Sequence, residues 1–474
     1  MNMDIKLSRE KAVFDDIRGT IGWTPLVRLN QVTRGLNCHV YAKLEMFNPG
    51  GSVKDRIAFQ ILDAYEESGD LKSGGTVVEA TSGNTGIGLA IACALKGYKS
   101  IFVIPDKMSQ EKVQLLRAYG ARVVITPTAV APDDPRSYYS VAQRIVDDTP
   151  NAVLANQYHN PVNPQAHFLT TGPEIWEQTG GQVTDIVIGM GTGGTITGIS
   201  QFIRENEYNV NIVGVDPEGS LLYDAWKQGG STEGLEAYTY KVEGIGEDFI
   251  PSTLDLNSID EVIRVDDAES FLWTRRLVRE EGIFCGGSSG SALAGAIKYM
   301  QHFGPDRLVV IIFPDSGSRY LSKIFNDDWL REHGLLIPDP DRATAGQVAA
   351  IRGLPRLILG SEEEQVVDII AKMRQHGISQ IPIVDRNKEL MGLVSEVDLL
   401  DRLLSTDKDV GLEDKIGPVV NTNIHSVRYD SPFKIVLSDL ITKKVVVLVN
   451  EKNEPVDVLT IIDALDYMAM PGEE

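Results

Sequence analysis

Cysteine is scarce in this chain: 3 among 474 residues, at Cys38, Cys93 and Cys285, with no Cys-x-x-Cys pair. That spacing excludes a disulfide-stapled scaffold and a cysteine metal site, and it suits a reducing cytoplasm. Basic charge is outnumbered, with 45 Lys and Arg against 67 Asp and Glu and a net charge of −22. A pI near 4.8 argues against nucleic acid and anionic membrane as partners. Long hydrophobic runs are missing too. The strongest, Leu308–Phe313, falls far short of the roughly 20 residues that span a bilayer. Met1 to Arg18 mixes charged and apolar residues with no apolar core, so no signal peptide is expected.

A hydrophobic fraction of 42% supports sizeable cores, and the length implies about three domains. Up to about residue 330, short Val/Ile-rich runs alternate with helical patterns. Strands are predicted at His39–Leu44, Thr76–Glu79, Ser100–Ile104, Arg122–Thr126, Asp185–Ile188, Asn211–Val215 and Leu308–Phe313. Near-continuous apolar strands with helical crossovers predict an α/β fold with parallel sheets covered on both faces. Some crossovers are long, which suggests two sub-domains with a cleft between them. The composition shifts near Ile337-Pro338-Asp339-Pro340-Asp341, and 336–353 reads as a linker after a first domain at 1–335.

Beyond the linker the sequence repeats. Ser395 and Thr460 are 65 positions apart, as are Asp398 and Asp463, and matching helix and strand patterns surround each pair. Tandem units at 354–410 and 411–474 predict one core buried between them.

Four segments carry possible chemistry. Pro49-Gly50-Gly51-Ser52-Val53-Lys54-Asp55-Arg56 places a lysine at the start of a predicted helix. The helix dipole and partial burial would lower its pKa, and a neutral amine condenses with aldehydes. The same octapeptide also describes a surface lysine opening a helix. Ala80-Thr81-Ser82-Gly83-Asn84-Thr85-Gly86 follows a strand and opens a helix. Its donors suit a carboxylate, or it is a capped turn. Gly189-Met190-Gly191-Thr192-Gly193-Gly194-Thr195 joins a strand to a helix as a phosphate nest. It is neither a Walker loop nor a dinucleotide fingerprint. Cys285-Gly286-Gly287-Ser288-Ser289-Gly290 offers a hydroxyl that could meet a ring nitrogen, or a helix cap.

Taken together, these segments describe a pyridoxal 5′-phosphate site, and their order resembles the fold type II pyridoxal-phosphate enzymes of the β-replacement group. Within it the chain most resembles the cystathionine β-synthases, with the cysteine synthases as near relatives. The resemblance runs from about Asp16 to Arg331 and includes Gly22-Trp23-Thr24-Pro25-Leu26, Asn156-Gln157-Tyr158, Gly214-Val215-Asp216-Pro217-Glu218-Gly219 and Val242-Glu243-Gly244-Ile245-Gly246. The tandem repeat resembles a CBS-domain pair, or Bateman module.

The resemblance implies that Lys54 holds the cofactor and later acts as general base. Asn84 would meet the ring hydroxyl oxygen, Gly191, Thr192, Gly193, Gly194 and Thr195 the phosphate, and Ser288 the ring nitrogen. Thr81, Ser82, Thr85 and Gln157 would bind the substrate carboxylate, with Tyr158 and Gly244 lining the cleft. The implied reaction condenses serine with homocysteine. Release of hydrogen sulfide from cysteine is a side activity, and a cysteine synthase using O-acetylserine and sulfide is the alternative. A nucleotide sensor built on a retired enzyme is a third reading, and the intact lysine and phosphate turn speak against it. A homodimer is implied by the family.

The chain departs from the family pattern at two places. The segment before Ile21 has neither cysteine nor histidine, so the haem of animal members is not expected. Glu247 stands where animal and yeast members have a tyrosine. It could steer an ammonium group, assist hydroxide departure, or be a solvated rim charge. In the tandem units, Ser395 with Asp398 and Thr460 with Asp463 resemble ribose-binding motifs, and S-adenosylmethionine is the implied regulatory ligand. The same Ser/Thr-x-x-Asp pattern also caps helices.

Overall fold

The computed structural model describes residues 13–81, 83–106, 108, 110–127, 130, 134–301, 303–335, 343–351, 357–404 and 411–469. The chain forms two compact units with the main boundary between Leu335 and Leu336.

The first unit holds two sheets. In the larger, Leu26–Arg28, His39–Leu44, Leu308–Phe313, Asp185–Gly189, Asn211–Pro217 and Glu261–Val265 lie side by side in that order. Only the first pair is antiparallel. The smaller sheet is all parallel, in the order Arg122–Thr126, Lys99–Pro105, Thr76–Ala80, Ala152–Leu154. Each strand reads as an apolar run because helices cover both faces. Ile186, Ile188, Ile212, Val310 and Ile312 pack on Ile196, Ile199 and Ile203 of the helix Gly194–Glu205. Under the smaller sheet, Val77, Phe102 and Ile104 meet Ile57, Ile61 and Leu62 of the helix Asp55–Ser68.

Several elements of this unit escaped the sequence patterns, including the three-residue strands Leu26–Arg28 and Ala152–Leu154 and the short helices Leu222–Lys227 and Asp327–Glu332. Glu261–Val265 is an edge strand whose charged residues mask its alternation. The helices Val162–Leu169 and Thr171–Gln178 begin with Pro161, Pro164 and Pro173 nearby, which read as loop. Proline is tolerated there because the first turn of a helix has no internal use for its N–H.

The second unit contains two three-stranded sheets with the same plan. Gly360–Ser361, Gln380–Val384 and Leu390–Ser395 form one; Ser426–Arg428, Val445–Val449 and Pro455–Thr460 form the other. In each, the first pair is parallel and the second antiparallel. The single shared core expected from the sequence is not what forms. Val366, Ile369, Ile381 and Ile383 bury a core within the first repeat, and Phe433, Val436, Val446 and Leu448 one within the second. Only a small cluster of Leu393 with Val447 and Val449 is common to both.

The expected linker is shorter than the composition suggested. Residues 336–342, 352 and 353 lie outside the described residues, but Ala345–Ile351 is a helix. Ala345, Val348 and Ala349 sit in one core with Phe433, Val436 and Leu440. Small side chains resemble linker composition, yet here they permit close approach: a Cβ at Gly346 would run into the Tyr429 ring.

Candidate active site

The glycine turns of the first unit lie at the carboxyl ends of parallel strands, where open α/β sheets place their ligands. Three segments distant in sequence are stitched together by Pro314-Asp315-Ser316, which follows the strand Leu308–Phe313. The Val53 N–H donates to the Pro314 carbonyl at 2.8 Å, and the Ser316 N–H to the Gly51 carbonyl at 3.2 Å. The Gly286 N–H donates to the Asp315 carbonyl at 3.1 Å. The segments that carry Lys54 and Ser288 are thereby tied to the same strand end. Asn84 joins them: its Nδ2 donates to Asp315 Oδ2 at 2.7 Å, and its Oδ1 accepts from Arg319. The Tyr320 hydroxyl donates to the same Asp315 oxygen at 2.5 Å.

Lys54 is the residue before the helix Asp55–Ser68 and is half-buried. Its ammonium makes no hydrogen bond among the described residues. Burial pushes its pKa down to about 8, against the opposing pull of Glu247 and Asp315. A lowered pKa of this size is the direction expected for an amine that condenses with an aldehyde. Glu247 is itself half-buried, and its charge reaches Lys54, Tyr138, Tyr139 and Tyr158.

The turn Gly191 to Gly194 is buried. Gly193 takes φ +84, a left-handed conformation natural to glycine. The backbone N–H groups of residues 191–195 find no acceptor among the described residues. Five buried or half-buried donors at one helix N-terminus, with the dipole behind them, fit a phosphate ester. Gly244 lies against this turn: a Cβ at Gly191 would stand 2.9 Å from its carbonyl oxygen. Thr253 ties the turn to Tyr158: its hydroxyl donates to the Thr192 carbonyl at 2.5 Å and its backbone N–H to the Tyr158 carbonyl at 3.3 Å. Ser288 is 3% exposed in the first turn of the helix Gly287–Met300. No hydrogen bond among the described residues engages its hydroxyl.

Of the carboxylate-loop residues, Thr81 accepts from the Gly83 N–H at 3.0 Å, and Thr85 donates to Gln157 Oε1 at 2.5 Å. Ser82 lies outside the described residues. The Asn156-Gln157 turn is held by Glu79, whose carboxyl accepts from both N–H groups at 2.6 and 3.3 Å. Glu79 is fully buried, and desolvation raises its pKa to about 8. Beside it opens a cavity of about 490 Å³ walled by Tyr139, Tyr158, His159 and Phe249.

Sequence reading missed Glu79, Asp315, Arg319 and Tyr320. Asp315, Arg319 and Tyr320 flank Gly317 in the turn after Leu308–Phe313, a strand-to-turn junction the sequence reading passed over. Glu79 carried a usable signal, as an acid inside an apolar strand.

In the second unit, the two paired motifs are built alike. Ser395 Oγ donates to Asp398 Oδ2 at 2.5 Å and Thr460 Oγ1 to Asp463 Oδ2 at 2.6 Å. Each carboxylate also accepts the backbone N–H of its partner, at 2.9 and 2.7 Å. They cap their helices. Asp463 is 6% exposed, whereas Asp398 is half-buried. Among the described residues, no helix is long and apolar enough to cross a membrane, and no group of acids, histidines and cysteines could hold a metal ion.

Comparison with known proteins agrees with this architecture. Residues 17–315 match the pyridoxal-phosphate dependent enzyme family, and residues 357–405 match the CBS domain. A cystathionine beta-synthase of Dictyostelium discoideum is 40% identical over 472 residues, covering 97% of this chain and 93% of that protein. A cysteine synthase of Staphylococcus aureus is 41% identical but covers 65% of this chain and 96% of its own length. The crystal structure of a hydrogen sulfide-producing enzyme from Fusobacterium nucleatum superimposes with a TM-score of 0.60. It is 33% identical and covers 65% of this chain and all of that one. The chain therefore belongs to the pyridoxal-phosphate-dependent enzymes, in the cystathionine β-synthase group that carries a C-terminal CBS domain.

Proposed function

We propose that this protein condenses L-serine with L-homocysteine to give L-cystathionine and water, as a step of transsulfuration and cysteine synthesis. The observation that carries the reading is length. The similarity to a cystathionine beta-synthase runs through the tandem C-terminal units, whereas that to a cysteine synthase covers only 65% of the chain. Bound pyridoxal phosphate supplies an aldehyde that captures amines and an aromatic ring that withdraws electrons.

This chain's residues do the rest. The backbone N–H groups of 191–195 would hold its phosphate, Asn84 would meet the ring oxygen, and Ser288 would meet the ring nitrogen. A neutral hydroxyl there does not protonate that nitrogen, which favours loss of a β-substituent over transamination. Thr81, Ser82, Thr85 and Gln157 hold the substrate carboxylate, and Tyr158 and Gly244 shape the cleft. Lys54 takes the proton from serine Cα. The β-hydroxyl departs as water on taking up a proton from the protein, a departure in which Glu247 is the proposed assistant. The thiol sulfur of homocysteine then bonds to Cβ, its proton replaces the one the protein gave to the departing water, and Lys54 returns its own proton to Cα.

Mass spectrometry of products from serine with homocysteine, and from O-acetylserine with sulfide, tests the reading. Cystathionine from the first pair at higher kcat/KM supports it; preference for the second pair overturns it. The likeness to a hydrogen sulfide-producing enzyme supports a second activity, release of sulfide from cysteine. We further propose a cytoplasmic homodimer without haem, in which Thr460 and Asp463 form the better of two sites for S-adenosylmethionine.

A further inference from the structure

The helix Val162–Leu169 lies against the phosphate turn, and two of its residues one turn apart face that turn. Asn163 Nδ2 donates to the Gln157 carbonyl at 2.8 Å and to Thr192 Oγ1 at 3.2 Å. A Cβ at Gly194 would run into its carboxamide. His167 sits four residues on. Its Nε2 is 3.2 Å from Thr195 Oγ1 and its Nδ1 is 2.8 Å from Thr171 Oγ1. The ring and Thr171 are both fully buried.

The ring must share one proton between two nitrogens. Burial, with the cations of Arg56 and Lys54 nearby and only Glu45 opposing, holds its pKa down at about 3. A proton on Nδ1 would point at Thr171, whose own buried hydroxyl proton would then have no acceptor among the described residues. Thr195 would have to donate into the ring, leaving only lone pairs toward the turn. A proton on Nε2 resolves both problems. Thr171 donates to Nδ1, Nε2–H donates to Thr195 Oγ1, and the Thr195 proton is free to point outward. Buried polar groups are rarely left unpaired, which selects the second arrangement. An anion in the turn reinforces it, because hydrogen bonds to charged acceptors are about twice as strong as neutral ones.

We infer that His167 is a positioning residue for the phosphate anchor: as the Nε2–H tautomer it orients the Thr195 hydroxyl to donate to a bound phosphate ester. Thr171, His167 and Thr195 thus form a one-way relay of donors that ends on the ligand. This rests on the reading of the 191–195 turn as the cofactor's phosphate site.

The test compares two aldehydes that differ only in the phosphate, pyridoxal 5′-phosphate and pyridoxal, binding to cofactor-stripped full-length protein. His167→Met removes the donor, whereas His167→Gln keeps an amide N–H near the same place. The methionine variant is expected to weaken the phosphate ester about tenfold, the worth of one charge-assisted hydrogen bond. The glutamine variant should stay within about threefold, and pyridoxal itself should bind all three proteins alike. Equal weakening of both aldehydes would mean that His167 only supports the fold, and overturns the inference. If wild-type protein shows no preference for the phosphate ester, the phosphate-site reading fails instead. Nitrogen-15 spectra of the wild-type histidines, assigned by the His167 variants, decide the matter even should the methionine variant not fold. A ring protonated at Nε2 from pH 5 to 9 is expected, and one protonated at Nδ1 sinks the relay.

Discussion

Lys112 and Glu243 form a buried ion pair at 2.5 Å that joins the two sheets of the first unit. Lys112 belongs to the helix Gln110–Ala118 beside the smaller sheet, and its stem lies under Gly83 of the carboxylate loop. Glu243 precedes Gly244, which rests on the phosphate turn. The carboxylate also pairs with Lys323 at 2.6 Å, and the two cations hold it below the usual carboxylate range. One ion cluster thus fixes the spacing between the loops expected to grip the substrate and the cofactor.

Removing the carboxylate would leave the almost fully buried Lys112 ammonium without its counter-ion, facing the Tyr320 ring 4.6 Å away. Glu243→Gln is expected to cost about 3 kcal/mol in urea unfolding and to raise the KM for serine more than it lowers kcat. The double variant Lys112→Met with Glu243→Leu should regain much of that stability, since both desolvation penalties vanish together. A double variant no more stable than the single one would show that the cluster is not held by its charges.

Lys54 has its ordinary pKa lowered to about 8 by burial. Only the neutral amine condenses with an aldehyde, so the rate of pyridoxal phosphate uptake by stripped protein should rise with pH and level off above about 8. Stopped-flow absorbance reads this directly. A rate still climbing steeply at pH 10 would return Lys54 to the range of a surface lysine. Lys54→Ala should show no turnover even where cofactor is retained.

Glu79 titrates in the folded protein near 8, against about 4.3 in an unfolded chain. Between these values the folded state keeps a proton that the unfolded state has released. Stability from this group is present below about pH 4 and is lost as pH rises toward 8. Glu79→Gln removes the titration, so its stability relative to wild type should increase with pH across that window. The steepest expected slope is about 1.4 kcal/mol per pH unit. Parallel stability curves for the two proteins would place the Glu79 pKa in the normal range.

In the second unit, Asp463 and Asp398 occupy equivalent corners but differ in burial. Calorimetry with S-adenosylmethionine is expected to give heat with wild type and with Asp398→Ala, and none with Asp463→Ala. Thr460→Ala, at the other residue of the proposed site, should also weaken that heat, besides costing about 1 kcal/mol through the lost cap. Silence from wild type would remove the proposed ligand.

The sequence by itself determined the local chemistry. Glycine turns at strand-to-helix junctions announce themselves, because few other residues permit those backbones, and Lys54 and Ser288 stand within them. Val/Ile runs fixed the parallel strands, and the 65-residue offset between Ser395 and Thr460 exposed the repeat. Only the tertiary structure decided what supports those groups. Asp315 reaches Asn84 across 231 positions, and Lys112 reaches Glu243 across 131. No local pattern encodes such pairings. The helix that carries Asn163 and His167 stayed hidden behind its prolines, and Ala345–Ile351 passed for linker because small residues serve tight packing and loose loops alike. Propensity is set by near neighbours in sequence, whereas burial and the pKa shifts of Lys54, Glu79 and His167 arise from neighbours in space.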